Sequence, residues 1–156
     1  MKKRIFQYTA ILIFALFSAG SFAQDNRTLD TKVADILAQM PADDFTHRDR
    51  VMKEVIELGP EGFAKFTQQL TPAGEGDDTA VRFAINSVAR YFSDFGMEEE
   101  RSFVETALLD AIRQQTNNEV ITFLINQLNL VGGQQSVEAL QVYLADEDLA
   151  EPATQA

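Results

Sequence analysis

The sequence has no cysteine and no tryptophan, and its only histidine is His47. Without cysteine there is no disulfide framework and no thiolate ligand for a metal, so stability must come from packing. A single histidine excludes a metal site built from several histidine ligands. Ser87 and Ser102 are possible nucleophiles, but neither lies in a nucleophile-elbow motif. We therefore expect a protein that is not an enzyme and holds no cofactor.

Basic residues are also scarce. Thirteen Lys and Arg residues stand against 24 Asp and Glu residues, which gives a formal net charge of −11. This charge argues against nucleic acid or an anionic membrane as a partner, because both attract basic surfaces. The 156 residues are 46% hydrophobic, which is enough for one folded domain with a sizeable core.

The first residues have the pattern of a secretory signal peptide. A basic stretch at residues 2–4 precedes an apolar run over residues 8–17, and residues 21–23 form a small-x-small cleavage site. The apolar run is shorter than the roughly 20 residues that a membrane span needs. We predict cleavage after Ala23 and a periplasmic or extracellular protein without a stable membrane anchor. Loss of the three basic residues would change the net charge from −11 to −14.

Apolar residues recur at helical spacing in seven later segments. No segment shows the sustained two-residue alternation of a β-hairpin, so the sequence predicts an all-α fold. The apolar sets, in chain order, are Leu29, Val33, Ile36, Leu37 and Met40; Val51, Met52, Val55 and Ile56; Phe63, Phe66 and Leu70; Val81, Ile85, Val88 and Phe92; Val104, Ala107, Leu108, Ala111 and Ile112; Val120, Ile121, Leu124, Ile125 and Leu128; and Val137, Leu140 and Leu144.

Polar and special residues mark where these helices begin and end. After a polar leader over residues 24–28, Pro41 stops the first helix, Gly59 suits the left-handed position after the second, and Pro60 suits the first turn of the third. Acids at residues 98–100 suit the positive start of the fifth helix, where they diverge too far to form a catalytic pair. The candidate N-caps are Thr28 or Asp30 for the first helix, Asp43, Asp44 or Thr46 for the second, and Asp77 or Asp78 for the fourth.

Residues 117–146 hold a complete helical hairpin, NNEVITFLINQLNLVGGQQSVEALQVYLAD. Each of its helices is marginal alone, so neighbours must cover its apolar face. Aligning the chain with itself finds the hairpin in three copies, at shifts of 37 and then 36 residues. The first helices align Val51, Met52, Val55, Leu58 and Gly59 with Val88, Ala89, Phe92, Phe95 and Gly96, and with Leu124, Ile125, Leu128, Val131 and Gly132. When a longer turn is allowed in the middle copy, the second helices align Phe63, Phe66 and Leu70 with Val104, Ala107 and Ala111, and with Val137, Leu140 and Leu144.

These copies predict an α-solenoid of about three antiparallel helix pairs, with about seven helices, over residues 29–146. The segment FLINQLNLVGGQQSVEALQVYLAD resembles HEAT repeats. The blocks ILAQMPADD, TPAGEGDDTAVRFAINSVARYF and FLINQLNLVGG resemble the N-terminal HEAT region of exported Bacteroidetes proteins. Some of those proteins also carry a jelly-roll domain classed as a 3-keto-disaccharide hydrolase. Since no such jelly-roll is present in this sequence, the resemblance implies a HEAT-like fold and assigns no catalytic residue.

The glycine-rich segment over residues 72–78 is the stretch that looks most like a ligand site. Glu75, Asp77 and Asp78 would repel a phosphate, and the lysine of a phosphate-binding loop is missing. Calcium is chemically compatible with carboxylates and carbonyls, although the spacing does not match an EF-hand loop. We interpret the segment as a bent linker that caps the fourth helix, with calcium binding as the alternative.

A polar stripe on the fourth helix is the best candidate for a functional surface. Arg82, Asn86 and Arg90 follow one another at four-residue steps beside the apolar face, and Phe83 and Tyr91 flank them. Stacked repeats bind partners through such surfaces, and exposed aromatic residues are favoured at interfaces. The alternative is an ordinary solvated face, with Arg82 paired to the acid four residues before it.

The leading functional hypothesis is an exported, non-catalytic HEAT-like scaffold that binds a protein partner or an adjoining domain of its own polypeptide. The alternatives are an accessory region of an extracellular carbohydrate-active, 3-keto-disaccharide hydrolase-like enzyme, and a structural spacer. The seventh helix lacks a polar outer face, and Pro152 suits the start of a further helix within residues 147–156. We therefore expect the chain to be a fragment of a longer protein and to self-associate through the last hairpin.

Overall fold

The computed structural model describes residues 25–42 and 44–156. The predicted signal peptide over residues 1–23, Gln24 and the candidate cap Asp43 lie outside the described residues. The described part contains α-helices and no strand, which confirms the all-α prediction. The helices are α1 (Leu29–Leu37), α2 (Phe45–Glu57), α3 (Gly59–Thr67), α4 (Thr79–Tyr91), α5 (Glu98–Gln114), α6 (Asn118–Val131), α7 (Gln134–Leu140) and α8 (Ala150–Gln155), with a 3-10 turn at Gln141–Tyr143 after α7.

The helices pack in two layers. Helices α1, α3, α5 and α7 lie side by side in succession, which we call the odd layer, and α2, α4, α6 and α8 form the even layer in the same way. Consecutive helices from α1 to α6 also contact each other between the layers. Such stacking of helix pairs is the arrangement of an α-solenoid, and it places α4 between α2 and α6 on the even layer.

Side-chain caps fix the starts of three helices. The Thr28 hydroxyl accepts a hydrogen bond from Thr31 N–H at 3.2 Å, and the Asp44 carboxylate accepts one from His47 N–H at 2.8 Å. Asn117 caps α6. His47 lies in the first turn of α2. Of the candidate N-caps in the sequence, Thr28 therefore caps α1 and Asp44 caps α2.

The aligned first-helix positions form the core of the even layer. Leu124 and Leu128 are 0% and 1% exposed, and Leu140 of α7 is 2% exposed, which confirms that they are among the most buried residues. The equivalent positions in α2 and α4 are buried as well: Val51, Met52 and Val55, and Val88, Ala89 and Phe92. The repeat inferred from the sequence therefore identified the inward face of three consecutive even-layer helices.

The last copy of the second helix departs from the alignment. Val137 and Leu144, predicted to face inward, are 58% and 50% exposed. Helix α7 ends at Leu140 and continues as a 3-10 turn. A 3-10 turn is wound more tightly than an α-helix, so the residues after Leu140 no longer lie on the face that a continued α-helix would bury. Within α7 the buried residues are Ser136 and Leu140, four positions apart. The predicted inward positions of Val137 and Leu144 were therefore wrong.

The three aligned glycines do not share one backbone role. Gly59 and Gly96 have φ values of +69° and +87°, a region where side chains are strained. Gly132 has a φ of −60°, so its backbone is open to any residue. A Cβ at Gly132 would instead lie 2.6 Å from the carbonyl oxygen of Leu128, closer than real contacts allow. Phe95, aligned with buried Val131, is fully exposed in the turn before Gly96.

A buried carboxylate attaches α7 to the odd layer. Glu105 of α5 is 5% exposed, and its Oε1 accepts hydrogen bonds from Gly133 N–H at 2.7 Å, from Ser136 N–H at 2.8 Å and from the Ser136 hydroxyl at 2.8 Å. A negative charge at this position also faces the positive end of the α7 dipole. Helix α7 accordingly packs against α5, whereas the sequence had paired it with α6 in a hairpin.

Replacing Glu105 by alanine should destabilise the protein by roughly 1–3 kcal/mol, because two backbone N–H groups and one hydroxyl lose their acceptor in a buried site. Denaturant unfolding followed by far-ultraviolet circular dichroism measures this loss. Glu99→Ala is the matched control, since Glu99 is an exposed acid of the same helix and should change stability by less than about 0.5 kcal/mol. Equal losses for the two variants would contradict the capping role.

Candidate functional site

Arg82 joins the starts of α4 and α6. Its Nε donates to Asp78 Oδ2 at 2.8 Å, and its Nη1 and Nη2 donate to the two carboxylate oxygens of Glu119 at 2.9 and 3.0 Å. Nη2 also donates to the carbonyl oxygen of Thr71 at 2.9 Å, and the guanidinium carbon lies 4.7 Å from the centre of the Phe123 ring. We call this set of contacts the Arg82 clamp. It fixes α4, α6 and the end of the glycine-rich loop to one another.

The Arg82 guanidinium keeps its positive charge at every practical pH. Burial lowers the pKa of Arg82, but hydrogen bonds to Glu119 and Asp78 and the negative charges of these two residues outweigh burial. The net effect raises the pKa above its usual value, so the guanidinium stays protonated. The predicted pairing of Arg82 with Asp78 is present, and the additional bonds to Glu119 make Arg82 an interhelical contact rather than a free surface charge.

Asn86 is held in a second contact between the same two helices. Its Nδ2 donates to Gln127 Oε1 at 2.8 Å, and Gln127 Nε2 in turn donates to the carbonyl oxygen of Phe123 at 2.9 Å. Arg82 contacts Glu119, and the later residue Asn86 contacts the later residue Gln127. Because the contacts follow the same chain direction in both helices, α4 and α6 run parallel. Gln127 is buried, which strengthens this relay by excluding water. The orientation of the Asn86 carboxamide is therefore fixed by the fold.

A groove of about 270 Å³ lies between the start of α2 and the outer face of α4. Two phenylalanines give it apolar surface: Phe45 is 77% exposed and Phe83 is 38% exposed. Exposed phenylalanine is costly in water, so two such rings in one groove make it a candidate contact surface. We call it the aromatic groove, and its lining consists of Ala42, Asp44, Phe45, Arg48, Phe83, Asn86, Ser87 and Arg90.

The charged residues of the aromatic groove differ in how they are paired. The Arg48 guanidinium lies 4.9 Å from the centre of the Phe45 ring and donates to Asp49 Oδ1 at 3.0 Å. The Asp44 carboxylate caps α2. Arg90 is exposed and forms no ion pair with any residue in the described ranges 25–42 and 44–156. Arg90 is therefore the charge in the groove that is best placed to meet a ligand.

The predicted stripe thus divides into parts with different roles. Phe83, Asn86 and Arg90 line the aromatic groove, whereas Arg82 belongs to the clamp. Tyr91 is half-buried and packs edge-to-face on Phe92, with ring centres 4.9 Å apart, so it does not line the groove. Of the five predicted residues, the structure brings three together on one concave surface.

Sequence reasoning missed Phe45 and Arg48, which complete the groove from α2. The 37-residue shift that aligns Val51 with Val88 also places Phe45 at the position of Arg82. Extending the self-alignment to the helix starts would therefore have shown that an apolar residue replaces the clamp arginine in the preceding repeat. An aromatic residue at the exposed start of a helix is the signal that was available.

A second groove of about 520 Å³ lies between α4, α6 and the segment before α8. Asn118 Nδ2 donates to Asp148 Oδ2 at 2.9 Å across it. Its lining is Arg82, Asn118, Glu119, Thr122, Phe123, Asn126 and Asp148. Because Arg82 already bonds to Glu119 and lies over the Phe123 ring, this groove offers fewer unused groups to a ligand than the aromatic groove does.

The glycine-rich loop over residues 72–78 is tied down by its own acids. Asp78 Oδ2 accepts from Thr71 N–H at 3.0 Å, and Asp77 Oδ1 accepts from Thr79 N–H at 3.1 Å. Hydrogen bonds from the Thr79 hydroxyl and backbone lower the pKa of Asp77. In the parts of the chain that are described, no three His, Cys, Asp or Glu residues cluster in a way that could hold a metal ion. The two acids therefore serve the loop and the start of α4.

Across residues 25–42 and 44–156, none of the helices has the length and apolar character needed to span a membrane. Comparisons of the chain with protein-family models, with curated proteins and with solved structures gave no match. The resemblance to HEAT-repeat proteins therefore stays a prediction from the sequence.

Proposed function

We propose that this chain is an exported, non-catalytic, HEAT-like scaffold that binds another protein through the aromatic groove. The observation that carries the proposal is the presence of two exposed phenylalanines, Phe45 and Phe83, beside Arg90 in one groove of the even layer. Aromatic residues and arginine are the types most enriched among residues that dominate binding energy at protein interfaces.

The groove also has the rigidity that a binding surface needs. Helix α4 supplies Phe83, Asn86 and Arg90, and the Arg82 clamp and the Asn86 relay hold α4 against α6. A preorganised surface loses less conformational entropy when a partner binds, so more of the contact energy appears as affinity. In this proposal, Arg82 supports the binding surface without contacting the partner.

Two further parts of the proposal come from the sequence. The basic, apolar and small-residue pattern of residues 1–23 supports export. The layered helix pairs are the architecture that the HEAT resemblance implies, and solenoids of this kind present extended surfaces to partners. The absence of a recognisable catalytic motif in the sequence supports a binding role over an enzymatic one.

The proposal is tested by affinity capture of partners with the wild-type protein and with Arg90→Glu. Charge reversal of a residue at the centre of an interface should reduce recovery of the specific partner by about tenfold or more, while the circular dichroism spectrum stays unchanged. Recovered proteins are identified and quantified by mass spectrometry.

The matched control is Arg113→Glu, which reverses an exposed arginine of α5 in the odd layer. It changes the net charge by the same amount as Arg90→Glu, so it separates a local effect from a general loss of electrostatic attraction. Equal recovery from the wild type and Arg90→Glu, or an equal loss with both variants, would refute binding through the aromatic groove.

A further inference from the structure

We infer that the partner enters the aromatic groove as an extended peptide segment that carries an acidic side chain next to an aromatic or large aliphatic one. This inference rests on the proposed function and specifies the chemistry of the ligand. It follows from the charge of the groove, from its hydrogen-bonding groups and from its size.

Among the described residues, Arg90 is the arginine of the groove that forms no ion pair. Arg48, the other arginine of the lining, pairs with Asp49, and the Asp44 carboxylate caps α2. The whole chain has a formal net charge of −11. An unpaired guanidinium on an acidic protein attracts a carboxylate, while the remaining surface repels acidic proteins that cannot reach the groove. An acidic side chain of the partner would therefore bind to Arg90.

The hydrogen-bonding groups favour an extended backbone. Asn86 donates one amide proton to Gln127, and this bond fixes the orientation of the carboxamide. Among the described residues, no group donates a hydrogen bond to the Oδ1 of Asn86. This oxygen can accept a main-chain N–H, and the guanidinium of Arg90, which lines the same groove, supplies donors. Because a helical segment already uses its main-chain N–H groups internally, an extended segment is the form that can bond to Asn86.

The size of the groove limits what can enter. Its volume of about 270 Å³ lies just below the roughly 300–1,000 Å³ of small-molecule sites, so it has room for one or two side chains. Phe45 and Phe83 provide an apolar contact for one of them, since aromatic rings gain from edge-to-face packing. An apolar side chain adjacent to a carboxylate therefore matches both the rings and Arg90.

Three fluorescein-labelled synthetic peptides test the inference by fluorescence anisotropy with the purified protein. The first alternates glutamate and phenylalanine within a Gly-Ser frame, the second replaces each glutamate by lysine, and the third replaces each phenylalanine by serine. The first peptide should bind about tenfold more tightly than either of the others. Arg90→Glu should invert the preference between the first two peptides, and Arg113→Glu should preserve it.

Equal binding of the glutamate and lysine peptides, or no binding of the first peptide at millimolar concentration, would overturn the inference. If this happens while capture of the natural partner still depends on Arg90, the acidic-segment inference fails and the proposed function stands. If capture is also insensitive to Arg90→Glu, both fail. The two failures are therefore distinguishable.

Discussion

Leu128→Ala should lower the free energy of unfolding by roughly 2–5 kcal/mol. Leu128 is 1% exposed on α6, a helix that packs against α4, α5 and α8, so truncation would leave a cavity with neighbours on several sides. The equivalent residues Val55 and Phe92 are buried in α2 and α4, which places this position in the continuous core. Chemical unfolding monitored by circular dichroism gives the value directly.

Val137→Ala is the matched control for that experiment. The self-alignment treats Val137 as a core residue, but it is more than half exposed in the structure. Its truncation should therefore cost less than about 0.5 kcal/mol. A loss below about 0.5 kcal/mol for Leu128→Ala, or a loss of several kcal/mol for Val137→Ala, would show that the inward faces of α6 and α7 are assigned incorrectly.

Breaking the Arg82 clamp should also be costly. Arg82→Met keeps an unbranched apolar side chain of similar length but leaves Asp78 and Glu119 without their shared cation, and it removes a hydrogen bond to the carbonyl oxygen of Thr71. We expect a loss of about 2 kcal/mol, because Asp78, Glu119 and the carbonyl oxygen of Thr71 lose a charged partner that is itself largely covered.

Arg90→Met removes an exposed arginine from the same helix and should change stability by less than about 0.5 kcal/mol. A double-mutant cycle of Arg82→Met with Glu119→Gln should show that the two losses are not additive, since both remove the same interhelical pair. Similar small losses for Arg82→Met and Arg90→Met would mean that the clamp contributes little to holding α4 against α6.

The core of the even layer was predictable because helical periodicity reports burial directly. Val51, Val88 and Leu124 occupy equivalent positions at shifts of 37 and 36 residues, and all three are buried. The last hairpin was not predictable in the same way. Helix α7 starts where Glu105 accepts three hydrogen bonds, and Glu105 lies 28 residues before Gly133. A tertiary contact of this kind leaves no periodic signal in the sequence.

The candidate site was predictable in outline only. The four-residue spacing placed Arg82, Asn86 and Arg90 on one stripe of α4, and the spacing was correct. It could not show that Arg82 meets Glu119, which lies 37 residues later, or that Phe45 of α2 lines the same groove as Phe83. The partners of a side chain on neighbouring helices decide whether that side chain holds the fold together or is available to a ligand. Those partners depend on how the helices pack.

Photo-cross-linking from the aromatic groove is the most direct test of partner binding. Benzoylphenylalanine at Phe83 puts the probe inside the groove, and the same probe at Phe95 puts it on a fully exposed turn outside the groove. Our account predicts a specific adduct with another polypeptide from position 83, strongly reduced by Arg90→Glu, and no such adduct from position 95. Equal adducts from the two positions, or none from position 83, would contradict it.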